Sequence, residues 1–181
     1  MKTLYRNLHR QTGTGMVEVM VTLVILLVGL LGLAGLQTHG LRSEMESYQR
    51  VQALILLQDM VGRINANRSN AAAYVANDIG TSAEAVCTAL AGQPRDTCEW
   101  NKALRGAAEK SGTASIGAMI GGRGCITVVD AVNQIYQVSV VWQGLGKTVS
   151  HTTNLCGKNL YGDDAIRRVV SLTIRIANLS A

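Results

Sequence analysis

The sequence predicts an α+β fold in which one long N-terminal helix packs on a C-terminal head built around an antiparallel sheet. Two observations predict it. Helical character runs without a break from Val17 to about Asn67, first apolar on all sides and then on one side. Beyond Gly124 the pattern changes to strands of alternating polarity. Aromatic residues are 4% of the chain and Phe is absent, so we expect a head core of Val, Ile, Leu and Ala.

The first half of the helix is apolar enough to span a membrane. The stretch Val19–Leu36 carries no charged side chain, and it meets the lower limit of about 17 residues for crossing hydrocarbon. Lys2, Arg6 and Arg10 precede it, which favours a cytoplasmic N-terminus and an exported head. An ordinary signal peptide has a shorter apolar core and a small-residue cleavage site, which is not evident here.

Glu18 places a carboxylate at the beginning of this apolar segment. Such a charge costs about 2.5 to 3.5 kcal/mol at mid-bilayer and less near the interface, so a simple interfacial glutamate is one interpretation. The local pattern favours another: a short basic leader, Gly13, four residues, Glu18, and then an unbroken apolar helix. This arrangement resembles the class III leader of type IV pilins and related pseudopilins.

The resemblance implies specific processing. A prepilin peptidase would cut between Gly13 and Thr14 and methylate the new amine of Thr14, which makes Glu18 the fifth mature residue. The Glu18 carboxylate would then pair with a Thr14 amine, its own or a neighbour's, and set the register of assembly. The family usually has Phe where Thr14 stands, and a cut after Gly15 would leave Glu18 in third place, so Gly13 is preferred.

The segment "VGLLGLAGLQ", Val28–Gln37, narrows the resemblance to minor pilins of the PilV type. That group implies assembly with other minor pilins and the major pilin, priming of the pilus, twitching motility and adhesion. It implies an inner-membrane protein with a periplasmic head that later lies on the cell surface in the pilus. Two alternatives remain open: a type II secretion pseudopilin, and a signal-anchored periplasmic enzyme or binding domain, in which Glu18 would have no purpose.

Four regions follow from this interpretation. Residues 1–13 are the leader, residues 14–36 the transmembrane and filament-core helix, residues 37–67 the amphipathic half of the helix, and residues 68–181 the globular head. The apolar stripe predicted to face the head is Leu41, Met45, Tyr48, Val51, Leu54, Leu57, Val61 and Ile64. The predicted polar face is Arg42, Glu44, Glu46, Arg50, Gln52 and Asp59.

Within the head, the spacing predicts two helices and four strands. The helices are expected over Asn70–Val75 and Asp96–Lys110, the second with Asp96 or Thr97 as its N-cap and with Trp100 and Leu104 on one face. The two longer strands are expected over Ile135–Gln143 and Val169–Ala177, and shorter ones at "CITVVD" and "KTVSHTT".

The cysteines, which all lie in the part predicted to be exported, favour disulfides over a metal site. An even number in an oxidising compartment is typical of disulfides, and no C-x-x-C pair suggests zinc. Three connectivities are possible. Loop spacing favours Cys87 with Cys98 and Cys125 with Cys156, each stabilising by about 3 kcal/mol.

Composition and motifs give no case for catalysis, a metal, a cofactor, a small-molecule substrate or nucleic acid. Without residues 1–13, the basic and acidic side chains nearly balance, so no nucleic-acid surface is indicated. Only His39 and His151 could act as imidazole bases downstream. "GLGKT" lacks the first glycine of a phosphate loop and predicts a hairpin turn. Asp163 and Asp164 are interpreted as a solvated loop.

Overall fold

The computed structural model describes residues 14–81, 86–107, 110–112, 114–115 and 119–177. The predicted leader, including Gly13, lies outside the described residues. The chain divides into two units, Met1–Ser43 and Glu44–Ala181, which are described in turn. A single helix, α1, runs from Thr14 to Ala66.

In the first unit, α1 is apolar and uninterrupted by proline. Two threonines donate hydroxyl hydrogen bonds to the helix backbone: Thr22 Oγ1 to Val19 O at 2.9 Å and Thr38 Oγ1 to Ala34 O at 3.0 Å. Such bonds satisfy hydroxyl groups that have no other polar partner in an apolar stretch. By length and composition, this helix is able to cross a membrane.

The head adds a sheet and a second helix. In chain order its elements are a 3₁₀ turn Arg68–Tyr74, β1 Ala76–Ile79, a 3₁₀ turn Cys87–Ala89, α2 Gln93–Leu104, β2 Lys110–Ser111, β3 Ala114–Ser115, β4 Arg123–Asp130, β5 Ile135–Gln143, a 3₁₀ turn Asp164–Ile166 and β6 Arg167–Arg175. Antiparallel pairs join four strands in the order β1-β4-β5-β6, and β2 pairs with β3 separately. The predicted α+β architecture is confirmed.

The alternating pattern located the central strand well. β5 has the predicted bounds, and its side chains Tyr136, Val138, Val140 and Trp142 are all buried. They form one core with residues of α1 and α2. β6 begins at Arg167, two residues before its predicted start, because its backbone pairs with the whole length of β5 from Gln143 onward.

The prediction of a strand at "KTVSHTT" was wrong. Residues 147–153 form no strand, and "GLGKT" is therefore a bend within a loop and not a hairpin turn. The fourth strand is β1, in a segment whose Asn, Ser and Gly content is typical of a surface loop. β1 lies at the sheet edge with its pairing to β4 shifted between Ala76 and Ile79, so backbone bonds and not alternation define it.

The start of α2 also differs from the prediction. The helix begins at Gln93 and its N-cap is Gly92, with φ of 60°, a conformation that glycine adopts easily. Pro94 follows in the first turn, where its missing N–H costs nothing. The N-cap assignment to Asp96 or Thr97 was therefore wrong, whereas Trp100 and Leu104 are both buried as predicted.

The amphipathic half of α1 buries a face different from the predicted one. Its buried residues are Gln49, Ala53, Leu57, Met60 and Ile64. Of the predicted stripe, only Leu57 and Ile64 are fully buried, and Leu41, Met45, Tyr48, Val51 and Leu54 are 40–62% exposed. The helix carries two stripes that could pack on the head, and the one that does so contains the polar Gln49 and the small Ala53.

Gly124 in β4 allows α2 to approach the sheet. A Cβ at this position would overlap the ring of Trp100 and lie 2.9 Å from Leu104 Cδ1. We therefore expect Gly124→Ala to lower the free energy of unfolding by about 1 to 3 kcal/mol, the usual cost of overpacking. Thermal or urea unfolding of the full chain in detergent, followed by circular dichroism, measures this change.

Gly146 provides the matched control for that substitution. A Cβ there would meet no heavy atom within 4 Å. Gly146→Ala should change the free energy of unfolding by less than about 0.5 kcal/mol. Equal effects of the two substitutions would contradict the close packing of Gly124 against Trp100.

Candidate assembly surface and its supports

The N-terminal half of α1 presents an apolar surface on every side. From Met16 to Leu36 the large apolar side chains are 51–80% exposed. Gly29, Gly32 and Gly35 have open space where a Cβ would lie, so other helices could approach the backbone there. A surface of this kind is stable only in lipid or against other apolar helices.

The predicted processing residues lie at the beginning of this surface. Thr14 is the first residue of α1, and Glu18 is exposed one turn later. Residues four apart share one side of a helix, so Thr14 and Glu18 are neighbours along α1.

A second apolar surface follows on α1 in the head unit. Met45, Tyr48, Val51 and Ile55 are 48–54% exposed, while Gln49 and Ala53 on the other side of the helix are buried. Of these residues, Met45, Tyr48 and Val51 were predicted to face the head. The structure instead leaves it available to other molecules.

Arg63 joins the last turn of α1 to α2. Its Nη1 lies 3.1 Å from Asp96 Oδ1 and 2.7 Å from Glu99 Oε2, and its Nε lies 3.0 Å from Asp59 Oδ2. The Tyr74 hydroxyl donates to Asp96 in the same network. Burial of Arg63 opposes its charge, but these carboxylates outweigh that effect and raise its pKa. Three segments of the head, α1, the 3₁₀ turn Arg68–Tyr74 and α2, are thereby held around one cation.

Trp100 makes the second connection between the two helices. Its Nε1 donates to Leu56 O at 2.9 Å, and its ring is fully buried. An indole N–H that is buried without a partner would destabilise the head, so this bond fixes where α2 lies along α1.

Glu46 makes the connection to the sheet. Its Oε1 accepts from Arg168 Nη2 and from the Leu145 backbone N–H, both at 2.9 Å. The sequence placed Glu46 on the polar face away from the head, and that placement was wrong. The pairing partner comes from β6, which no local pattern around Glu46 could reveal.

Glu99 gives this network a pH dependence. Hydrogen bonds from Arg95 and then from Arg63 lower the pKa of Glu99 below its ordinary value. A carboxyl with a lowered folded-state pKa stabilises fully above its unfolded pKa of about 4.3, and the stabilisation is lost as pH falls through the lower folded value. We expect Glu99→Gln to cost less than about 1 kcal/mol at neutral pH, and this cost should shrink as the pH falls below about 4.3.

Thermal unfolding of the wild-type chain and of Glu99→Gln at several pH values measures that difference. Glu44→Gln is the control, because Glu44 is an exposed glutamate on the other helix, α1. A cost for Glu99→Gln that is the same at neutral and acid pH would argue against the ion-pair origin.

Two disulfides hold the head together. Cys87 pairs with Cys98 and Cys125 with Cys156, with Cα–Cα distances of 5.6 and 5.9 Å. The pairing is the one that the loop spacing favours. The first fastens a 3₁₀ turn to α2, and the second fastens β4 to the loop that precedes Asp164.

Arg167 was missed by the sequence analysis, and it organises the loop near Asp163 and Asp164. The Arg167 side chain is fully buried, with Nη2 donating to His151 O at 2.7 Å and Nε 3.3 Å from Asp164 Oδ1. Asp163 accepts from Ala165 N at 2.8 Å. Both carboxylates thus accept backbone hydrogen bonds that order the loop, in which the Asp163 side chain is 45% exposed.

Residues 35–103 match the family model Tt1218-like, type IV pilin Tt1218. This match supports a type IV pilin. It covers about two fifths of the chain, including the amphipathic half of α1, β1 and most of α2. No curated protein and no solved structure matches the chain. The long helix followed by a four-stranded antiparallel sheet is a type IV pilin-like fold.

Proposed function

We propose that the protein is a minor pilin of a type IV pilus, of the PilV type. In this role it joins other minor pilins to prime pilus assembly and supports twitching motility and adhesion. The observation that carries the proposal is the N-terminal half of α1, whose apolar side chains from Met16 to Leu36 are exposed on all sides. The pilin family match in the following segment supports it.

In the proposed function, the apolar surface of residues 14–36 is used twice, first in the membrane and then in the filament. The chain is first held in the inner membrane by residues 14–36, with the head in the periplasm. Prepilin peptidase removes residues 1–13 after Gly13 and methylates the amine of Thr14. The helix then moves from lipid into the filament, where neighbouring apolar helices replace the acyl chains around it.

Glu18 sets the register in that exchange. In a filament core, an unpaired carboxylate would be costly, and an amine from Thr14 of the same or an adjacent subunit compensates it. A subunit shifted along the helix axis would leave both groups unpaired and buried. The charge therefore selects one axial position among many apolar ones.

The second apolar surface on α1 supports the same function. Tyr48, Val51 and Ile55 are beyond the length that a bilayer requires, yet they remain exposed. Packing against helices of other minor pilins or of the major pilin would cover them. Helix contacts would then extend from the filament core to the base of the head.

A deletion strain tests the proposal against a secretion pseudopilin. For a minor pilin, loss of the gene should reduce surface pili and twitching and leave export by type II secretion unchanged, and the wild-type gene should restore both. Intact piliation together with defective export would instead assign the protein to a secretion system. A deletion strain with normal piliation and normal export would argue against both assembly functions.

A further inference from the structure

A polar cleft lies on the face of the sheet that is turned away from the core. Along β5, Val138 and Val140 belong to the core, whereas the alternate residues Gln137 and Ser139 line the cleft. Thr127, directly opposite Gln137 on β4, completes its floor. The cleft has a volume of about 390 Å³, which is in the range of small-molecule sites.

One wall of the cleft is the loop of residues 153–157, and it is held firmly. Cys156 is bonded to Cys125 of β4. Asn154 Nδ2 donates to Ser139 Oγ at 2.8 Å, and Arg167 Nη1 donates to Asn154 O and Cys156 O, both at 2.9 Å. A wall fixed by a disulfide and a buried arginine makes the cleft preformed, so a ligand need not order it.

The opposite wall comes from Asn77 and Asp78 in β1. Both are exposed, and they fall where the pairing of β1 with β4 shifts. Asp78 has φ of 56°, in the left-handed region that few residues other than glycine adopt. Irregular pairing and backbone strain of this kind commonly re-aim side chains at binding sites.

The chemistry of the lining indicates the class of ligand. The polar side chains are the amides of Asn77, Gln137 and Asn154, the hydroxyls of Thr127, Ser139 and Thr153, and the carboxylate of Asp78. Among the described residues that line the cleft, none is cationic, so an anionic ligand would have no counter-charge. A single carboxylate also falls short of the several oxygen ligands that a hard cation needs.

Amide groups both donate and accept, and so do sugar hydroxyls. A carboxylate adds an acceptor for hydroxyl protons. We propose that this cleft binds a neutral carbohydrate unit, with Asp78 and Asn77 as the polar contacts on one wall, Gln137 and Thr127 on the floor and Thr153 on the other wall. This activity goes beyond pilus assembly and does not depend on it.

Saturation-transfer NMR on the purified full chain tests the proposal. The protein is held in dodecylphosphocholine micelles, because a glucoside or maltoside detergent would itself present sugar to the cleft. The probes are the methyl glycosides of glucose, galactose, mannose, N-acetylglucosamine and N-acetylgalactosamine, with sialic acid as an anionic comparison. We expect at least one neutral glycoside to bind and sialic acid to give no signal.

Two substitutions that nearly preserve side-chain shape test whether the glycoside binds in this cleft. The variant Asp78→Asn with Thr127→Val removes the charge and one hydroxyl, and Asn tolerates the left-handed backbone. We expect its dissociation constant for the bound glycoside to rise about tenfold, since two hydrogen bonds are weakened or lost. Thr127→Val alone should give a smaller rise in the dissociation constant. Because valine is favourable in a strand, this single variant provides the test if the double variant does not fold.

Glu44→Gln neutralises a glutamate outside the cleft, and this control variant should bind the glycoside as the wild type does. Near-UV circular dichroism tests whether each variant is folded. Failure of every neutral glycoside to bind the folded wild-type chain would overturn the proposal. Unchanged binding by the folded Thr127→Val and double variants would also overturn it. Loss of pilus incorporation by these variants without any sugar binding would assign the cleft to a subunit contact instead.

Discussion

Glu18→Ala is expected to remove the protein from pili while leaving its amount in the membrane unchanged. The substitution takes a charge out of an apolar helix, so membrane insertion becomes no harder. In the proposed filament, however, the amine of Thr14 loses its partner, and an uncompensated buried charge costs about 3 to 5 kcal/mol. Immunoblots of sheared pili and of membranes from the same cells, normalised to the wild type, measure both quantities.

Glu44→Ala is the control for this loss, because it removes an exposed glutamate from the same helix. It should enter pili at the wild-type level. Glu18→Asp, which keeps the charge on a shorter side chain, should be intermediate. Full incorporation of Glu18→Ala would show that Glu18 is an interfacial charge without a function in assembly.

Trp100→Ala is expected to lower the free energy of unfolding of the head by about 3 to 5 kcal/mol. The Trp100 ring is fully buried and occupies the space that Gly124 leaves open, and its Nε1 is bonded to Leu56 O. The alanine variant therefore loses apolar packing and also leaves that carbonyl without its donor. Thermal unfolding of the full chain in detergent, followed by far-UV circular dichroism, measures the loss.

Trp100→Phe separates the two contributions. It keeps an aromatic ring in the core but removes the N–H donor, so its cost should be well below that of alanine. Val132→Ala provides the surface control, since Val132 is 92% exposed, and it should change stability by less than about 0.5 kcal/mol. Equal stability of the alanine and phenylalanine variants would contradict the packing of Trp100 against β4.

The parts of the fold that local pattern determines were predictable from the sequence. β5 alternates because one face packs in the core, and its bounds were predicted to the residue. The helical character of α1 follows from an apolar run followed by a one-sided pattern, without proline. Trp100 and Leu104 lie four apart on α2, and both were correctly placed in the core.

The errors arose where a distant contact overrides local pattern. α1 has two apolar stripes, and only the sheet decides that Ala53 and Met60 are buried while Met45 and Val51 stay exposed. β1 contains Asn77 and Asp78, and it becomes a strand because β4 supplies an edge with which it can pair. Periodicity within a segment carries no information about either partner.

The residues of the assembly surface are close together in the sequence, whereas those of the cleft are brought together only by folding. The interpretation of Gly13, Thr14 and Glu18 rests on their spacing next to the apolar helix, which is local in the sequence and stays a prediction. Arg167 is buried only because the loop that contains Cys156 folds over it, so its role was not readable from the chain. Asp78 and Asn154 are far apart in sequence and line one cleft only in the folded head.

The N-terminal mass of the protein tests the central claim most directly. The chain should be recovered from wild-type cells and from cells without prepilin peptidase, and the mass of its N-terminal peptide determined. We predict a chain that begins at N-methylated Thr14 in the first and one that retains the leader through Gly13 in the second. An intact Met1 in both strains, or a cut beyond Leu33, would contradict the claim that this is a processed pilin.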